Sequence, residues 1–323
     1  MKILVTGGAG YIGSFMVKRL LEKGDEVVVL DSLERGHKEA IDSRAQLVVG
    51  NLLDGEFVAK VFEEDKFDGV IHFAGYISMG ESMKDPYIYF QDNVFGSLNL
   101  IEELVKNGQN NIIFSSTAGV YGNPIKVPIP EDHPKNPENP YGESKLMVEK
   151  ILNWYAKTKN LNAIALRYFN AAGAALDGSM GELHEPESHI IPNIMKAVKA
   201  KQPFKLFGND YNTKDGTCVR DYIHVLDLVE AHVLALNKLK NKSGFDVYNV
   251  GTGNGYSNRE VVDMVRKVTG LDFKVDEIER RPGDADSLIA DSSRIKNELG
   301  FSPKYSDLET IVRTAWKFHS KAE

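Results

Sequence analysis

A glycine-rich loop near the start of the chain constrains the fold more than any other feature. Residues 2–6 form a short apolar segment that runs directly into Gly7-Gly8-Ala9-Gly10-Tyr11-Ile12-Gly13 and then into an amphipathic segment. Glycines at this spacing permit a tight turn, close approach of the backbone to a pyrophosphate, and close packing of a helix on a strand. The N-terminus of that helix supplies unpaired N–H groups for the phosphates. The loop therefore predicts a dinucleotide-binding βαβ unit.

An acidic residue after the next strand indicates which dinucleotide binds. The apolar segment Glu26-Val-Val-Val-Leu30 ends in Asp31, about twenty residues after the loop. A carboxylate at this point can accept hydrogen bonds from both hydroxyls of the adenosine ribose, and it would repel a 2′-phosphate. The sequence therefore predicts NAD rather than NADP as the cofactor.

Strands and helices continue to alternate up to residue 170. Apolar segments predict strands at 45–49, 67–73, 111–115 and 163–167, and periodic segments predict helices at 55–64, 86–106 and 140–159. Such alternation is typical of a parallel sheet with right-handed crossovers. We therefore predict an α/β fold with a doubly wound parallel sheet of Rossmann type. Within it, His72 lies in an apolar strand and is more simply a packed core residue than a base.

The second half of the chain is less regular. Residues 173–188 are small and polar without a clear period, and segments at 190–201 and 225–239 predict helices. We expect residues 1–170 to form the NAD-binding domain, with returning segments near 218–252. Residues 171–323 are expected to form a smaller mixed α/β lobe that binds the substrate.

Composition and charge limit which partners and which cellular compartment we expect for this protein. The 323 residues carry a net charge of −7, which gives no reason to expect nucleic acid or an anionic membrane surface as a partner. Cys218 is the single cysteine, so no intrachain disulfide or cysteine-rich zinc site can form, and we expect no bound metal. The chain begins with a strand rather than a signal peptide, and no apolar run approaches the ~20 residues that span a bilayer. We expect a cytoplasmic protein.

The segment Asn139-Pro-Tyr-Gly-Glu-Ser-Lys145 carries the clearest catalytic pattern. Asn139 can cap a helix and Pro140 suits its first position, and Tyr141 and Lys145 then lie one turn apart on one face. A lysine cation favours the ionised phenol, whose reference pKa is about 10. An ordinary amphipathic helix could carry the same pattern. The segment 139–145 follows a loop that holds six of the chain's twelve prolines, and that loop follows residues 114–122 at the end of a strand. Ligands bind at the strand ends of such sheets, so this position favours an active site.

Together these residues resemble the extended short-chain dehydrogenase/reductase superfamily, and within it the UDP-glucose 4-epimerase family. The similarity covers nearly the whole chain. Its most distinctive segments lie outside the cofactor machinery, at Phe207-Gly-Asn-Asp-Tyr211 and Asp215-Gly-Thr-Cys-Val-Arg-Asp-Tyr-Ile-His-Val225. Further matching segments are residues 6–13, 72–75, 114–117, 120–122, 140–147 and 167–170.

The resemblance implies a role for each matching residue. Tyr141 is the implied acid–base, Lys145 holds the nicotinamide ribose and lowers the pKa of Tyr141, and Thr117 bonds to the sugar hydroxyl. The implied NAD contacts are Gly7, Gly10, Tyr11, Ile12, Gly13, Asp31, Asn51, Leu52, Phe73, Ala74, Gly75, Asn93, Ser115, Tyr141, Lys145 and Tyr168. The implied UDP-sugar contacts are Thr117, Tyr141, Asn170, His189, Phe207, Arg220, Arg281, Asp284 and Leu288.

Three positions depart from the pattern of the family. Asn51 stands where many members have aspartate, although its amide oxygen can still accept from the adenine amine. Ile77 stands where some members have lysine, so we assign that loop no phosphate contact. Leu288 stands where tyrosine accompanies restriction to glucose and galactose, and cysteine or serine accompanies acceptance of N-acetyl sugars. Leucine leaves room for an acetamido group if it faces the sugar, and has no such effect if it faces away.

The implied activity is the interconversion of UDP-glucose and UDP-galactose. The phenolate of Tyr141 takes the proton of the sugar 4-hydroxyl while the C4 hydride passes to NAD, and the keto sugar turns and takes the hydride back. The family also implies a homodimer through helices 86–106 and 140–159.

Three alternative functions remain open from the sequence. The first is a 4-epimerase for N-acetylated or pentose UDP-sugars. The second is a nucleotide-sugar 4,6-dehydratase, but such enzymes carry Asp-Glu after the threonine, where this chain has Ala118-Gly119. The third is a non-catalytic NAD-binding regulator, which would not need Thr117, Tyr141 and Lys145.

Overall fold

The computed structural model describes residues 1–240, 243–281 and 284–321. The strands are β1 Lys2–Thr6, β2 Glu26–Asp31, β3 Gln46–Val49, β4 Gly69–His72, β5 Asn111–Thr117, β6 Asn162–Tyr168, β7 Asn170–Ala172, β8 Phe204–Phe207, β9 Val219–Arg220, β10 Tyr222–His224, β11 Phe245–Val250, β12 Tyr256–Ser257, β13 Val275–Ile278 and β14 Ser287–Leu288. The helices are α1 Tyr11–Glu22, α2 Gly55–Glu64, α3 Met79–Ser82, α4 Pro86–Ile88, α5 Ser97–Lys106, α6 Pro140–Lys159, α7 Ile190–Ala200, α8 Val225–Leu239, α9 Asn258–Thr269, α10 Ser293–Leu299 and α11 Leu308–His319.

A seven-stranded sheet in the order β11-β6-β5-β4-β1-β2-β3 forms the centre of the molecule. All its strand pairs are parallel, and β11 returns from the second half of the chain to pair with β6. The chain winds outward from β1 to β3, and then in the other direction from β4. The predicted doubly wound sheet is confirmed. Its strand order reverses between β1 and β4, where ligands bind beyond the carboxyl ends of the strands.

Helices cover both faces of this sheet, which explains why its inner strands are continuous apolar runs. On one face α1 and α8 bury Phe15, Met16 and Leu228 against the sheet. On the other face α2, α5 and α6 form a second apolar core, which includes Phe62 and Leu152. Because both faces are covered, only the strand ends remain open to a ligand.

A smaller layer of mixed structure lies beside the carboxyl ends of the sheet. Helices α7, α9 and α11 share an apolar core with the parallel pair β8 and β13. Next to it, β9 pairs with β12 and with β14, so that Leu288 lies opposite Arg220. No helix in the described part of the chain is long and apolar enough to cross a membrane.

The predicted helix 86–106 contains an interruption. Residues Tyr89–Gly96 between α4 and α5 adopt the wider π-helical turn, which is frequent near functional sites. The proline-rich stretch 124–140 contains neither helix nor strand before α6 begins, apart from one bridge between Ile129 and Ala290. Both segments lie beside the start of α6, where Tyr141 stands.

Candidate active site

A cavity of about 400 Å³ opens at the carboxyl ends of the central strands. Its walls come from both halves of the chain, because the glycine loop and the ends of β2, β4 and β5 face residues 183–189 and 284–288. The volume falls within the range of small-molecule sites. The cavity therefore joins the predicted dinucleotide loop to the predicted substrate lobe.

The glycine loop has the tight geometry that its sequence predicts. Gly7 has a φ of +71°, and a Cβ atom there would lie 2.5 Å from the backbone nitrogen of Ala74. A Cβ atom at Gly13 would lie 2.1 Å from the carbonyl oxygen of Gly7. The hydroxyl of Tyr11 donates to the carbonyl of Gly173 at 2.7 Å, which ties the loop to the second half of the chain. Side chains at positions 7 and 13 would therefore destroy the turn.

Asp31 lies at the cavity wall with an almost buried carboxylate. Its Oδ2 accepts the backbone N–H of Ala9 and its Oδ1 accepts that of Leu33, each at 2.9 Å. Each oxygen keeps a second lone pair, which can accept from a ribose hydroxyl. The glycine loop and this fixed carboxylate together fit an NAD molecule, with the pyrophosphate at the start of α1.

Most of the other predicted NAD contacts also line the cavity. They are Gly10, Ile12, Asn51, Leu52, Phe73, Ala74, Gly75 and Tyr168. Asn51 has partners within the protein, since its Oδ1 accepts the N–H of Leu53 at 2.9 Å and its amide donates to Glu34 at 3.2 Å. If Asn51 contacts adenine, its Oδ1 must accept the adenine amine in addition to the N–H of Leu53.

Tyr141 reaches the cavity from the first turn of α6. The side chain of Asn139 accepts the N–H of Gly142 at 2.9 Å, so it caps this helix as predicted. The Tyr141 side chain is 8% exposed, and the hydroxyl of Thr117 lies close enough to act on its pKa. Burial raises the pKa of Tyr141 strongly, the neighbouring Tyr168 raises it further, and the Thr117 hydroxyl lowers it.

Lys145 is buried one turn further along the helix. Its Nζ donates to the carbonyl of Ser115 at 3.1 Å and lies 4.9 Å from the centre of the Phe114 ring. Burial lowers the pKa of Lys145 to about 8. The sequence led us to expect that Lys145 lowers the pKa of Tyr141, but the pKa of Tyr141 is raised in this structure. Removal of the phenol from water is the largest cause of the raised pKa, and the ammonium group of Lys145 bonds to the carbonyl of Ser115 instead of the phenol.

Two further predicted NAD contacts, Asn93 and Ser115, lie behind the cavity wall. Asn93 accepts the N–H of Tyr76 at 2.8 Å and donates to the hydroxyl of Ser144 at 3.0 Å. The hydroxyl of Ser115 donates to that of Tyr168 at 2.9 Å. In this structure, Asn93 and Ser115 therefore hydrogen-bond to Tyr76 and Tyr168, which line the cavity.

The predicted UDP-sugar contacts fall into two groups. Thr117, Tyr141, Asn170, His189, Arg220, Asp284 and Leu288 line the cavity. Phe207 and Arg281 lie outside it, with the Arg281 guanidinium 3.9 Å from the centre of the Phe207 ring. Arg220 donates to the carbonyl of Ala285 at 2.8 Å and lies 3.5 Å from a carboxylate oxygen of Asp284. The neighbouring Pro282 and Gly283, the latter used to align Leu288, lie outside the described residues.

His72 is a packed core residue, as the apolar strand around it suggests. Its two ring nitrogens hydrogen-bond to Thr6 at 2.7 Å and to Ser97 at 2.8 Å. Burial, and then the charge of Lys145, lower its pKa to about 3. The neutral His72 in β4 therefore links β1, through Thr6, to α5, through Ser97.

A group of four titratable side chains lies beside the cavity, and the sequence had indicated only His189 among them. Glu182, His184, Glu187 and His189 come together in the loop before α7. Burial alone would raise the pKa of Glu182, but His189 and His184 outweigh it and lower that pKa to about 2. The loop has no helical or strand period to draw attention to it. Its signal was the Glu-x-His-x-x-Glu-x-His spacing of residues 182–189.

Comparison with known proteins agrees with this site. A sequence profile described as the NAD dependent epimerase/dehydratase family matches residues 3–251. The chain belongs to this family. It is therefore an NAD-dependent enzyme, and the cofactor predicted from the glycine loop and Asp31 is confirmed.

Individual members of the family match over nearly the full length. A UDP-glucose 4-epimerase of Lactobacillus helveticus is 48% identical over 99% of this chain and 97% of its own. A crystal structure of UDP-glucose 4-epimerase from Brucella ovis in complex with NAD is 44% identical, covers 98% of both chains and has a TM-score of 0.95. The UDP-Glc/GlcNAc 4-epimerase of Campylobacter jejuni is 42% identical, covers 99% of both chains and has a TM-score of 0.86. The predicted resemblance is confirmed.

Proposed function

We propose that this family member interconverts UDP-glucose and UDP-galactose by inverting C4 of the sugar. The observation that carries the proposal is the buried phenol of Tyr141, which lies with Thr117 in a cavity that also contains the glycine loop. A phenol in this position can exchange a proton with a sugar hydroxyl that lies beside bound NAD. NAD supplies a reversible acceptor for the C4 hydride, so the cycle consumes no cofactor.

The side chains around the cavity have separate roles in the proposed reaction. Tyr141 holds and returns the proton of the 4-hydroxyl, and Thr117 fixes the direction of the phenol. Lys145 lies 3.7 Å from where a Cβ atom on Gly75 would be, so its ammonium group stands just behind the cavity wall. From there it can reach the ribose on the nicotinamide side, and its positive charge favours the ionised form of Tyr141 once a ligand occupies the site.

The diphosphate and uridine lie, in this proposal, between β7 and β14, in the lobe of residues 171–323. Arg220 is the guanidinium that lines this part of the cavity, and Asn170 and His189 add polar groups beside it. An acidic chain needs such local donors to bind an anionic ligand, and guanidinium binds diphosphates through charge-assisted bonds. Phe207 and Arg281 form a stacked pair next to this region and remain predicted contacts.

A second substrate class is favoured by one observation. Leu288 lines the cavity in place of a larger aromatic residue and packs against the cluster that contains Ala118 and Phe169. The side chain therefore stands at the wall, and we propose measurable activity on the N-acetylated UDP-hexoses. A dehydratase is disfavoured, because residues 118 and 119 provide no acid beside Thr117.

We also propose that the chain forms a homodimer through α6 and the neighbouring helical segment 86–106. Large apolar side chains are exposed on these elements, with Tyr87 68%, Phe95 52% and Trp154 64% exposed. Exposed apolar side chains on two adjacent helices are typical of a subunit interface.

Incubation with single substrates tests the proposed activity. Purified protein is mixed separately with UDP-galactose, UDP-N-acetylgalactosamine and UDP-pentoses, without added cofactor, and the products are separated by chromatography. We expect fast formation of UDP-glucose, slower turnover of the N-acetyl sugar, and little change in the pentoses. A protein that turns over only a pentose, or that releases a 4-keto-6-deoxy sugar, would refute the proposal.

A further inference from the structure

The loop before α7 brings two imidazoles and two carboxylates to one point. We call Glu182, His184, Glu187 and His189 the His–Glu cluster. Each residue offers one ligand atom, and these four atoms all lie within 4.8 Å of one another. Among the described residues, this is the one group of histidine and acidic side chains close enough to share a metal ion. Glu182 is in close contact with His189, and its Oε1 lies 3.0 Å from Nδ1 of His184. Both histidines therefore turn Nδ1 toward the same carboxylate.

Two buried atoms of the cluster have no hydrogen-bond partner. The Glu187 side chain is 2% exposed, and its Oε1 accepts the N–H groups of Ser188 and His189 at 2.8 and 2.9 Å. Its Oε2 is buried and unpartnered, and so is Nδ1 of His184, whose short distance to Glu182 lacks hydrogen-bond geometry. Buried polar atoms without a partner are costly, and each such case requires an explanation.

We propose that the His–Glu cluster is a binding site for a divalent transition-metal ion of the zinc class. Imidazole nitrogens that have released their protons and carboxylate oxygens are both lone-pair donors, and both are ligand types that Zn²⁺ takes. A cation among the four groups satisfies the unpartnered oxygen and the unpartnered nitrogen together. Its two positive charges replace those of the two imidazolium protons beside Glu182 and Glu187.

The position of the cluster indicates what the ion does. The ring of His184 stands edge-on to that of Tyr11 in the glycine loop, with the ring centres 6.2 Å apart. On the other side of the cavity, the guanidinium of Arg35 donates to the carbonyl of Glu185 at 3.2 Å. Nε2 of His37 lies 3.1 Å from the carbonyl oxygen of Leu183. Residues 182–189 thus lie across the dinucleotide end of the cavity. A bound ion fixes this segment there, independently of which sugar the enzyme accepts.

Zinc titration of the stripped protein tests the proposal. Tag-free protein is treated with EDTA, exchanged into metal-free buffer and titrated calorimetrically with ZnCl₂, with MgCl₂ as the comparison cation. We expect one Zn²⁺ per chain and no comparable binding of Mg²⁺, which prefers an all-oxygen site. The variants His184→Gln and Glu187→Gln should each bind Zn²⁺ at least about tenfold more weakly.

Glu185→Gln is the matched control, because its carboxylate lies in the same loop but is 89% exposed and outside the cluster. Its Zn²⁺ affinity should equal that of the unmodified protein. If either cluster variant fails to fold, crystals of the unmodified protein soaked in Zn²⁺ should show an anomalous peak between the four side chains. The absence of saturable binding, cluster variants that both bind Zn²⁺ as tightly as the unmodified protein does, or an anomalous peak elsewhere would overturn the proposal.

Discussion

At Tyr141, burial and the nearby hydroxyl of Thr117 act on the pKa of the phenol in opposite directions. Burial raises the pKa because it disfavours the phenolate, and the hydroxyl of Thr117 lowers it because it stabilises the phenolate. A base works only in its ionised form, so the ionised fraction grows as pH rises toward this pKa. Loss of the Thr117 hydroxyl must therefore move activity to higher pH.

Thr117→Val should shift the rising limb of the pH–kcat profile to higher pH. The loss of rate should be several-fold near neutral pH and should shrink as the pH increases. Thr117→Ser is the control, since it keeps the hydroxyl and should retain the profile of the unmodified enzyme. A uniform loss at every pH would show that Thr117 acts by positioning alone.

Tyr141→Phe should fold, keep its NAD and lose turnover on the order of 10²–10⁴-fold, because only the ionisable hydroxyl is removed. Tyr155→Phe is the matched control on the same helix. Its hydroxyl bonds to Glu102 at 2.7 Å, away from the cavity. The measurement is kcat at saturating UDP-galactose, together with the NAD content of the denatured protein. Near-normal turnover in Tyr141→Phe would contradict the acid–base assignment.

Leu288→Tyr should suppress activity on the N-acetylated pair and spare the hexose reaction, because the ring fills the wall beside the sugar. Leu288→Met keeps the side-chain volume and should leave the ratio of the two activities unchanged. The ratio of kcat/KM values for UDP-N-acetylgalactosamine and UDP-galactose measures the effect. The same ratio in Leu288→Tyr and in the unmodified enzyme would show that residue 288 does not select the substrate.

The sequence allowed prediction of residues whose role depends on local spacing. The Asn139 cap and the place of Asp31 at the end of β2 follow from such spacing, and the structure contains both. The raised pKa of Tyr141 could not be predicted, because it depends on burial by distant segments. The stacking of Arg281 on Phe207 is equally non-local.

At the scale of elements, a buried ion pair joins α6 to the central sheet. Nε of Arg167 in β6 donates to Glu149 of α6 at 2.8 Å, and both side chains are almost fully buried. Glu149 also accepts the hydroxyl of Ser116 at 2.6 Å, next to Thr117. The pair therefore fixes α6, and with it Tyr141, relative to the end of β5.

Arg167→Met should destabilise the protein by about 3–5 kcal/mol, because it leaves the Glu149 carboxylate buried without its cation. Urea unfolding followed by circular dichroism measures this loss. Lys267→Met is the control, since Lys267 pairs with Glu309 on the surface and both side chains are well exposed. We expect an unchanged unfolding midpoint there. Equal effects of the two substitutions would contradict the structural role of the buried pair.

Periodicity explains which elements could be predicted. The helix at 55–64 and the strand at 2–6 have clear apolar patterns, and the structure contains both. The π-helical turn at Tyr89–Gly96 could not be predicted, because its apolar residues still fit a helical pattern. It forms where Asn93 bonds to the loop after β4 and to α6.

At the scale of the whole molecule, the proposed dimer makes a prediction about mass. Phe95→Glu combined with Trp154→Glu should convert the dimer to a monomer, because charges would replace apolar side chains in the interface. Leu271→Glu changes an exposed apolar residue in the other lobe and should remain dimeric. Analytical ultracentrifugation distinguishes the 36.0 kDa chain from its dimer. A monomeric unmodified protein would refute the proposed interface.

In the proposed reaction, the hydride leaves C4 and returns to it within one site that both halves of the chain enclose. The most direct test uses UDP-galactose labelled with deuterium at C4, incubated with purified protein and no added cofactor. We expect UDP-glucose that retains the deuterium at C4, since the hydride stays in the enclosed site between removal and return. Product that has lost the label to solvent would contradict the proposed reaction.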